Sequence, residues 1–390
     1  MPWRLLLANL MAHKLRALLT VASLAIATFL LVFLRTVLVA LEAPVQASAS
    51  NRLMVQSAVS LFVDLPTSYQ QKIDAMKGPG GVKESCKFQW FGGIYRDPSN
   101  FFAQFGIDAD RLLTVYPEIE LVDGSIEELQ RRRSGCIVGV DLAREFQWKV
   151  GDRIPLIGTI FPKGDGGAWE FDLVGIYRSK RSNVDNRTMY FRWDYLDETL
   201  RAGQATGPDG VGVYAVALEP GASVESVAAR IDRELDTPQR VQATTEAEFQ
   251  RQFVSMLGSV PTFLTSIGGG VLFAILFAVL NTMLMAARER THDLGILKAL
   301  GFGDAVAASL LMLESLALCA AGGVLGVVGM FALRGPLAEM LSMFVPAFHI
   351  TGETALIALG LALAIGVVAG LIPAWQASQL RPVQALRAEV

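Results

Sequence analysis

The chain has 390 residues, 52% of them hydrophobic and 18% charged, with a formal net charge of −3 and a mean hydropathy of +0.41. That balance exceeds what a soluble domain of this size needs for its core, so a membrane class is tested first. The weak negative charge argues against a nucleic-acid partner, and three cysteines are too few for a disulfide framework.

A helix needs about 20 mostly apolar residues to cross a hydrocarbon core of roughly 30 Å. Four runs qualify: 17–41, broken only by Arg35; 260–287, without charge; 305–333, broken only by Glu314; and 354–376, without charge. The first follows a basic cytoplasmic segment, 1–16, but exceeds a signal-peptide core and lacks a clear small-x-small cleavage site, so it reads as a retained helix. Arg4, Lys14 and Arg16 precede it, Arg288, Arg290 and Lys298 lie in 288–304, and Arg381 and Arg387 lie in the tail 377–390. The loop 334–353 has only Arg334. The positive-inside rule then puts both termini and 288–304 in the cytoplasm, and 42–259 and 334–353 outside. The expected fold is an α-helical membrane protein of the inner (plasma) membrane. It has four transmembrane helices and a large mixed α/β extracytoplasmic domain between helices 1 and 2.

That outer segment holds 24 Lys and Arg against 30 Asp and Glu, which again gives no nucleic-acid signal. Residues 53–58 and 61–65 read as short strands, and Pro66 suits the first turn of a helix to about Met76. Residues 78–81, Gly-Pro-Gly-Gly, form a turn. Residues 211–218 read as a strand, Ser223 as an N-cap, 224–236 as a helix and 240–243 as a further strand. The expectation is a βαβ-type subdomain from 46–84 plus 206–245, with a β-rich subdomain, 85–205, inserted. In the insert, 136–140, 153–157 and 169–177 read as strands. Residues 245–287 read as nearly continuous helix. Cys86 and Cys136 share this segment, so a bridge between them is left open, while Cys319 reads as membrane packing.

No phosphate-binding loop, HExxH or nucleophile elbow is present, and His13, His292 and His349 are scattered, so catalysis within this chain is not expected. The stretch 286–304, AARERTHDLGILKALGFGD, places Leu294, Leu297 and Leu300 at helical spacing, with Gly301 and Gly303 to end the helix. It is either an interfacial helix with its leucines in lipid or a docking knob for a cytoplasmic subunit. Near the C-terminus, Gly366 and Gly370 form a GxxxG packing face and Pro373 kinks or ends the helix.

The RxRTxDLGILKALG loop, the GxxPAxxASxLxPVxALR exit and the NLxxHKLRALLTV start at Asn9 resemble MacB/FtsX-type ABC transporter permeases. VGVDLA from Val138, KVGDR from Lys149 and FDLVGIY from Phe171 resemble that family's periplasmic core domain. The resemblance implies a pair of permeases, a homodimer or pseudo-symmetric, acting with an ABC ATPase subunit supplied as another chain. ATP and Mg would belong to that partner, with no cofactor or metal in this chain; a periplasmic adaptor protein is an open alternative, and membrane lipids are obligatory neighbours. By position, Glu289, Arg290, Asp293, Gly295, Leu297, Lys298 and Gly301 are the implied coupling residues.

Arg35 lies near the outer end of its helix and reads as a snorkelling side chain, whereas Glu314 is the costlier burial and reads as a helix-packing or dimer-interface group. A pair between the two requires matching depths. The expected function is motion transmitted from the ATPase to the outer domain for export or extraction. The rivals are a signalling permease controlling an outer enzyme and, with less support, a proton-coupled transporter using Glu314.

Overall fold

A long apolar run carries the first helix, α1 (Lys14–Ala47), for 34 residues, with Pro44 in its last turn; at 1.5 Å per residue that is about 51 Å, longer than a bilayer core requires. The computed structural model describes residues 14–341 and 348–379, apart from 99, 237 and 257. The start motif at Asn9, with His13, and the tail with Arg381 and Arg387 lie outside the described residues. Two units are distinguished: Met1–Ala40 with Leu257–Ser342 and Phe348–Val390, and Leu41–Met256 with Met343–Ala347.

The second unit is α/β. It opens with β1 (Arg52–Ser57), α2 (Tyr69–Asp74), β2 (Val82–Trp90), β3 (Gly93–Ile94) and β4 (Ala103–Ile107). Next come α3 (Leu112–Val115), β5 (Ile119–Gly124), α4 (Ile126–Arg131), β6 (Gly135–Gly139) and α5 (Val140–Phe146). They are followed by β7 (Arg153–Gly158), β8 (Trp169–Ser179), β9 (Thr188–Arg192) and α6 (Trp193–Arg201). The unit ends with β10 (Val213–Leu218), α7 (Val224–Glu234), β11 (Val241–Thr245) and α8 (Glu246–Met256). One sheet runs β11-β1-β10-β2-β4-β9-β6-β8-β7-β3, and β5 pairs with β8. The β4/β9 and β6/β8 pairings are parallel.

Strand β1 lies between β10 and β11, antiparallel to both, so the two ends of the intervening chain meet side by side. Its period-two alternation divides the core: Leu53 and Val55 join one cluster with Tyr69 and Ile231, while Met54 joins another with Phe88 and Phe249. A third cluster gathers Phe91, Trp169, Phe171 and Phe191. Ser223 caps α7 as expected, its hydroxyl accepting from the Ser226 N–H at 3.3 Å.

Two expectations fail here, and one question left open is settled. Residues 61–65 form a turn rather than a strand: the Val63 N–H donates to Ser60 O, only Leu65 bridges Val211, and Phe62 is 80% exposed. Helix is not continuous through 245–287, because α8 ends at Met256 and the next helix starts at Val260, with Gly258 between them at φ +64°. The open question of a Cys86–Cys136 bridge closes against it, since both thiols are free and buried. Cys86 is on β2 and Cys136 on β6, with β4 and β9 between. Three strand spacings of about 4.8 Å far exceed the ~5.5–6 Å Cα separation a disulfide tolerates.

The first unit contains α9 (Val260–Glu289), α10 (Thr291–Ala299), α11 (Asp304–Leu341) and α12 (Gly352–Gln379) besides α1. With α1, the helices α9, α11 and α12 are long and apolar enough to cross a membrane. Their contacts use small residues. A Cβ added at Gly366 would lie 3.0 Å from the Cys319 Cβ, and one at Gly370 3.0 Å from the Ser315 Cβ, so both glycines bring α12 against α11. The Ser315 hydroxyl donates to Gly366 O at 2.7 Å, which satisfies it without water. Gly322 and Gly326 do the same between α11 and α1: a Cβ at either would come within 2.5 or 2.6 Å of Leu24 or Ala25. Pro373 is buried inside α12, which continues to Gln379, so it does not end the helix.

Candidate functional site

At the junction of α9, α10 and α11, ion pairs and hydrogen bonds tie the short helix α10 to its neighbours. Thr291–Ala299 is short and would be marginal alone, so its place depends on its ends. Arg290 ends α9 and precedes α10, and it is buried, as is Glu314 of α11. The guanidinium donates through both terminal nitrogens to the Glu314 carboxylate, the Nη2–Oε1 contact being 3.0 Å. This fork-to-fork geometry offsets the cost of two charges in an apolar setting. Glu314 therefore pairs with Arg290 rather than Arg35, and Arg35 instead reaches Glu353, at 3.2 Å.

Further ties surround this pair. Glu289 pairs with Arg16 of α1. Lys298 donates to the Ser378 carbonyl at 3.0 Å and pairs with Asp304 at 2.8 Å, linking α10 to the ends of α12 and α11. Leu294 is buried with Ala287, Leu311 and Ala377, and Leu297 packs on the same cluster. Gly295 is buried beside them. Gly301, at φ +92°, reverses the chain, with the Phe302 N–H donating to Leu297 O.

The expected stripe is thus divided. Leu294 and Leu297 face the helices, whereas Leu300 is 72% exposed, together with His292, Asp293, Ile296 and Phe302. Of the seven implied coupling residues, Glu289, Asp293 and Gly301 are exposed, Glu289 being held by Arg16, and Asp293 lies in the first turn of α10, where a carboxylate complements the helix dipole. The coupling set implied by the sequence left out His292, Ile296 and Phe302; the spacing of 292, 296 and 300 was a signal for the first two, and none pointed to Phe302.

A second polar centre lies within the α/β unit. Arg52 of β1, 3% exposed, donates to Glu118 at 2.9 and 3.0 Å and to Glu246, the first residue of α8, at 2.9 and 3.0 Å. Asn183 donates to Glu118 at 2.5 Å, and Glu246 accepts the Ala49 N–H at 2.7 Å. The guanidinium also stacks over Tyr116, 3.8 Å from the ring centroid. Burial alone would raise the Glu118 pKa, but the hydrogen bond and charge of Arg52, with the Asn183 amide, outweigh it and hold the carboxyl below its ordinary range. No cluster of residues suited to a metal occurs among the described residues.

Four membrane-length helices, a braced loop helix and an α/β domain inserted after the first helix define a polytopic permease. Residues 265–382 match the FtsX-like permease C-terminal family, and residues 17–234 the MacB-like periplasmic core domain. The chain belongs to the MacB/FtsX-type permeases of ABC transporters, and Leu41–Met256 forms their extracytoplasmic domain. It is 24% identical over 335 residues to an uncharacterized ABC transporter permease of Methanocaldococcus jannaschii, covering 82% of this chain and 79% of that one. It is 36% identical over 142 residues to the macrolide export ATP-binding/permease protein MacB of Hyphomonas neptunium, covering 36% of this chain but only 20% of that protein's length. Among solved structures, the extracellular domain of the noncanonic ABC-type transporter YknZ from Gram-positive bacteria aligns over 50% of this chain and 100% of its own, with 13% identity and a TM-score of 0.37.

Proposed function

We propose that the chain is the transmembrane subunit of an ABC transporter that works as a homodimer with a separate ATPase, transmitting nucleotide-driven motion to its extracytoplasmic domain for export or extraction. In this reading it lies in the inner (plasma) membrane with both termini and α10 in the cytoplasm, and ATP and Mg bind the ATPase. An adaptor protein on the outer side fits the same scheme.

The observation that supports it best is the bracing of α10. Arg290–Glu314, Arg16–Glu289 and Lys298 with Ser378 and Asp304 join the α9–α10 junction and α10 to α1, α11 and α12. A push on the exposed side of α10 is thereby delivered to several membrane helices together. A helix resting in lipid needs no such ties. Purified alone, the chain is expected to hydrolyse no ATP, and turnover is expected once the cognate ATPase is added. Sustained hydrolysis by the isolated, contaminant-free chain would overturn the assignment.

A further inference from the structure

The extracytoplasmic domain contains a cavity of about 620 Å³ that the coupling reading does not use. That volume suits a drug-sized molecule. All its walls belong to this one domain, and Phe62 lines it while remaining 80% exposed, so it opens to the outside of the domain.

The lining chemistry is one-sided. Phe88, Trp90, Phe105, Tyr190, Phe249 and Phe253 supply aromatic walls, with edge-on packing of Phe105 on Trp90 at 5.2 Å and of Phe249 on Phe253 at 5.1 Å. Asp64, Asp185 and Glu246 are the ionisable acids of the lining, and no Lys, Arg or His is among the described residues there. Glu246 is already answered by Arg52. Asp64 and Asp185 are not so well provided. Burial pushes both carboxyls up, against partial relief from the Gln89 amide at Asp64 and from the Arg187 N–H and charge at Asp185. A cation in the cavity would favour both anions.

A second, independent feature marks one end. Asn183 lines the cavity and is 8% exposed, and its Nδ2 is spent on Glu118 and Glu246. Its buried Oδ1 has no hydrogen-bond partner. An orphaned buried acceptor costs free energy that a donor on a ligand would recover. Asn183 and Asp185 sit on the same β8–β9 connection, so the acceptor and the carboxylate lie close in the chain.

We propose that this cavity binds a soluble amphipathic organic cation, its protonated amine at Asn183 Oδ1 and Asp185 and its apolar body against Phe88, Phe105 and Phe249. Aromatic faces and carboxylates both favour positive charge, and the apolar walls select a hydrophobic body. Phe249 and Phe253 belong to α8, so occupancy is registered on the helix that leads to α9. The inference does not depend on how the ATPase docks.

The test uses the full chain in zwitterionic phosphatidylcholine nanodiscs, titrated with dansylcadaverine, its neutral N-acetyl derivative and the anionic 6-(dansylamino)hexanoate. The expected result is a saturable fluorescence rise with the amine, absent from empty discs, and at least roughly tenfold weaker binding of the other two. Asp185→Asn keeps the oxygen that caps the Arg187 N–H, and it should weaken the amine by about tenfold while leaving the neutral probe unchanged. Ala103→Trp, which fills the cavity, should abolish all three signals. Equal affinity for the three probes, no saturable signal, or unaltered binding in a folded Ala103→Trp protein would each overturn the proposal. If Ala103→Trp does not fold, the wild-type probe series and Asp185→Asn decide.

Discussion

Arg290 and Glu314 meet across 24 residues of chain as a buried two-point ion pair, and together they fix the turn between α9 and α10 to the body of α11. Removing one partner strands the other charge in an apolar setting, at about 3–5 kcal/mol, whereas replacing both by apolar residues of similar size is far less costly. Glu314→Ala and Arg290→Ala should therefore each lower thermal stability in detergent sharply, and Arg290→Met combined with Glu314→Leu should recover most of the loss. A strictly additive double variant would show that the pair is not coupled.

Small residues at the helix contacts give a second expectation. A Cβ at Gly326 would come 2.6 Å from Ala25 O, while nothing lies within 4 Å of one at Gly360. Gly326→Leu should force α1 from α11, costing about 1–3 kcal/mol or more, and Gly360→Ala should fold as the parent does. Their melting temperatures in detergent check this, and equal stability of the two variants would contradict the described packing.

The Arg52–Glu118–Glu246 centre predicts a pH dependence of definite sign. The folded-state pKa of Glu118 lies below its ordinary value of about 4.3 because Arg52 and Asn183 outweigh burial. Its contribution to stability is fully present above that ordinary value and is lost as pH falls toward the folded-state pKa. Asp64 and Asp185, both raised, act in the opposite direction. Unfolding followed by tryptophan fluorescence between pH 7 and pH 3 should show an acid-side loss that Glu118→Gln reduces. An unchanged profile in that variant would remove Glu118 from the account.

What the sequence made legible follows from periodicity and composition. The long apolar runs recur as α1, α9, α11 and α12, and the alternating segments around Ile137, Leu156 and Phe171 recur as β6, β7 and β8, because burial on these faces leaves few alternatives. Partnering was not legible. Residues 61–65 have strand-like composition but no ladder partner, and Glu314 finds Arg290 across a turn whose geometry no spacing discloses. Likewise the Leu294, Leu297 and Leu300 stripe exists, yet only tertiary packing decides that Leu297 turns inward and Leu300 outward. Arg52, Glu118, Asn183 and Glu246 are too far apart in the chain to form a motif.

That division separates stability from coupling. Leu297→Asp places an unpaired carboxylate in the packed cluster and should reduce insertion and stability. Leu300→Asp should leave the chain inserted and folded while lowering ATP turnover of the complex with its ATPase. Comparable folding defects in both variants would show that Leu300 is not on a free face.

The central claim, that the exposed side of α10 bears on the ATPase, is tested most directly by site-specific cross-linking. Cys86, Cys136 and Cys319 are all buried, so a cysteine introduced as Leu300→Cys and carrying a benzophenone label reports on that side alone. In membranes holding the cognate ATPase, illumination should join the chain to the ATPase subunit, while a label introduced at Leu363 of α12, half-exposed and mid-helix, should not. Cross-linking from position 300 to lipid only, with no ATPase adduct under conditions that support ATP turnover, would contradict the account.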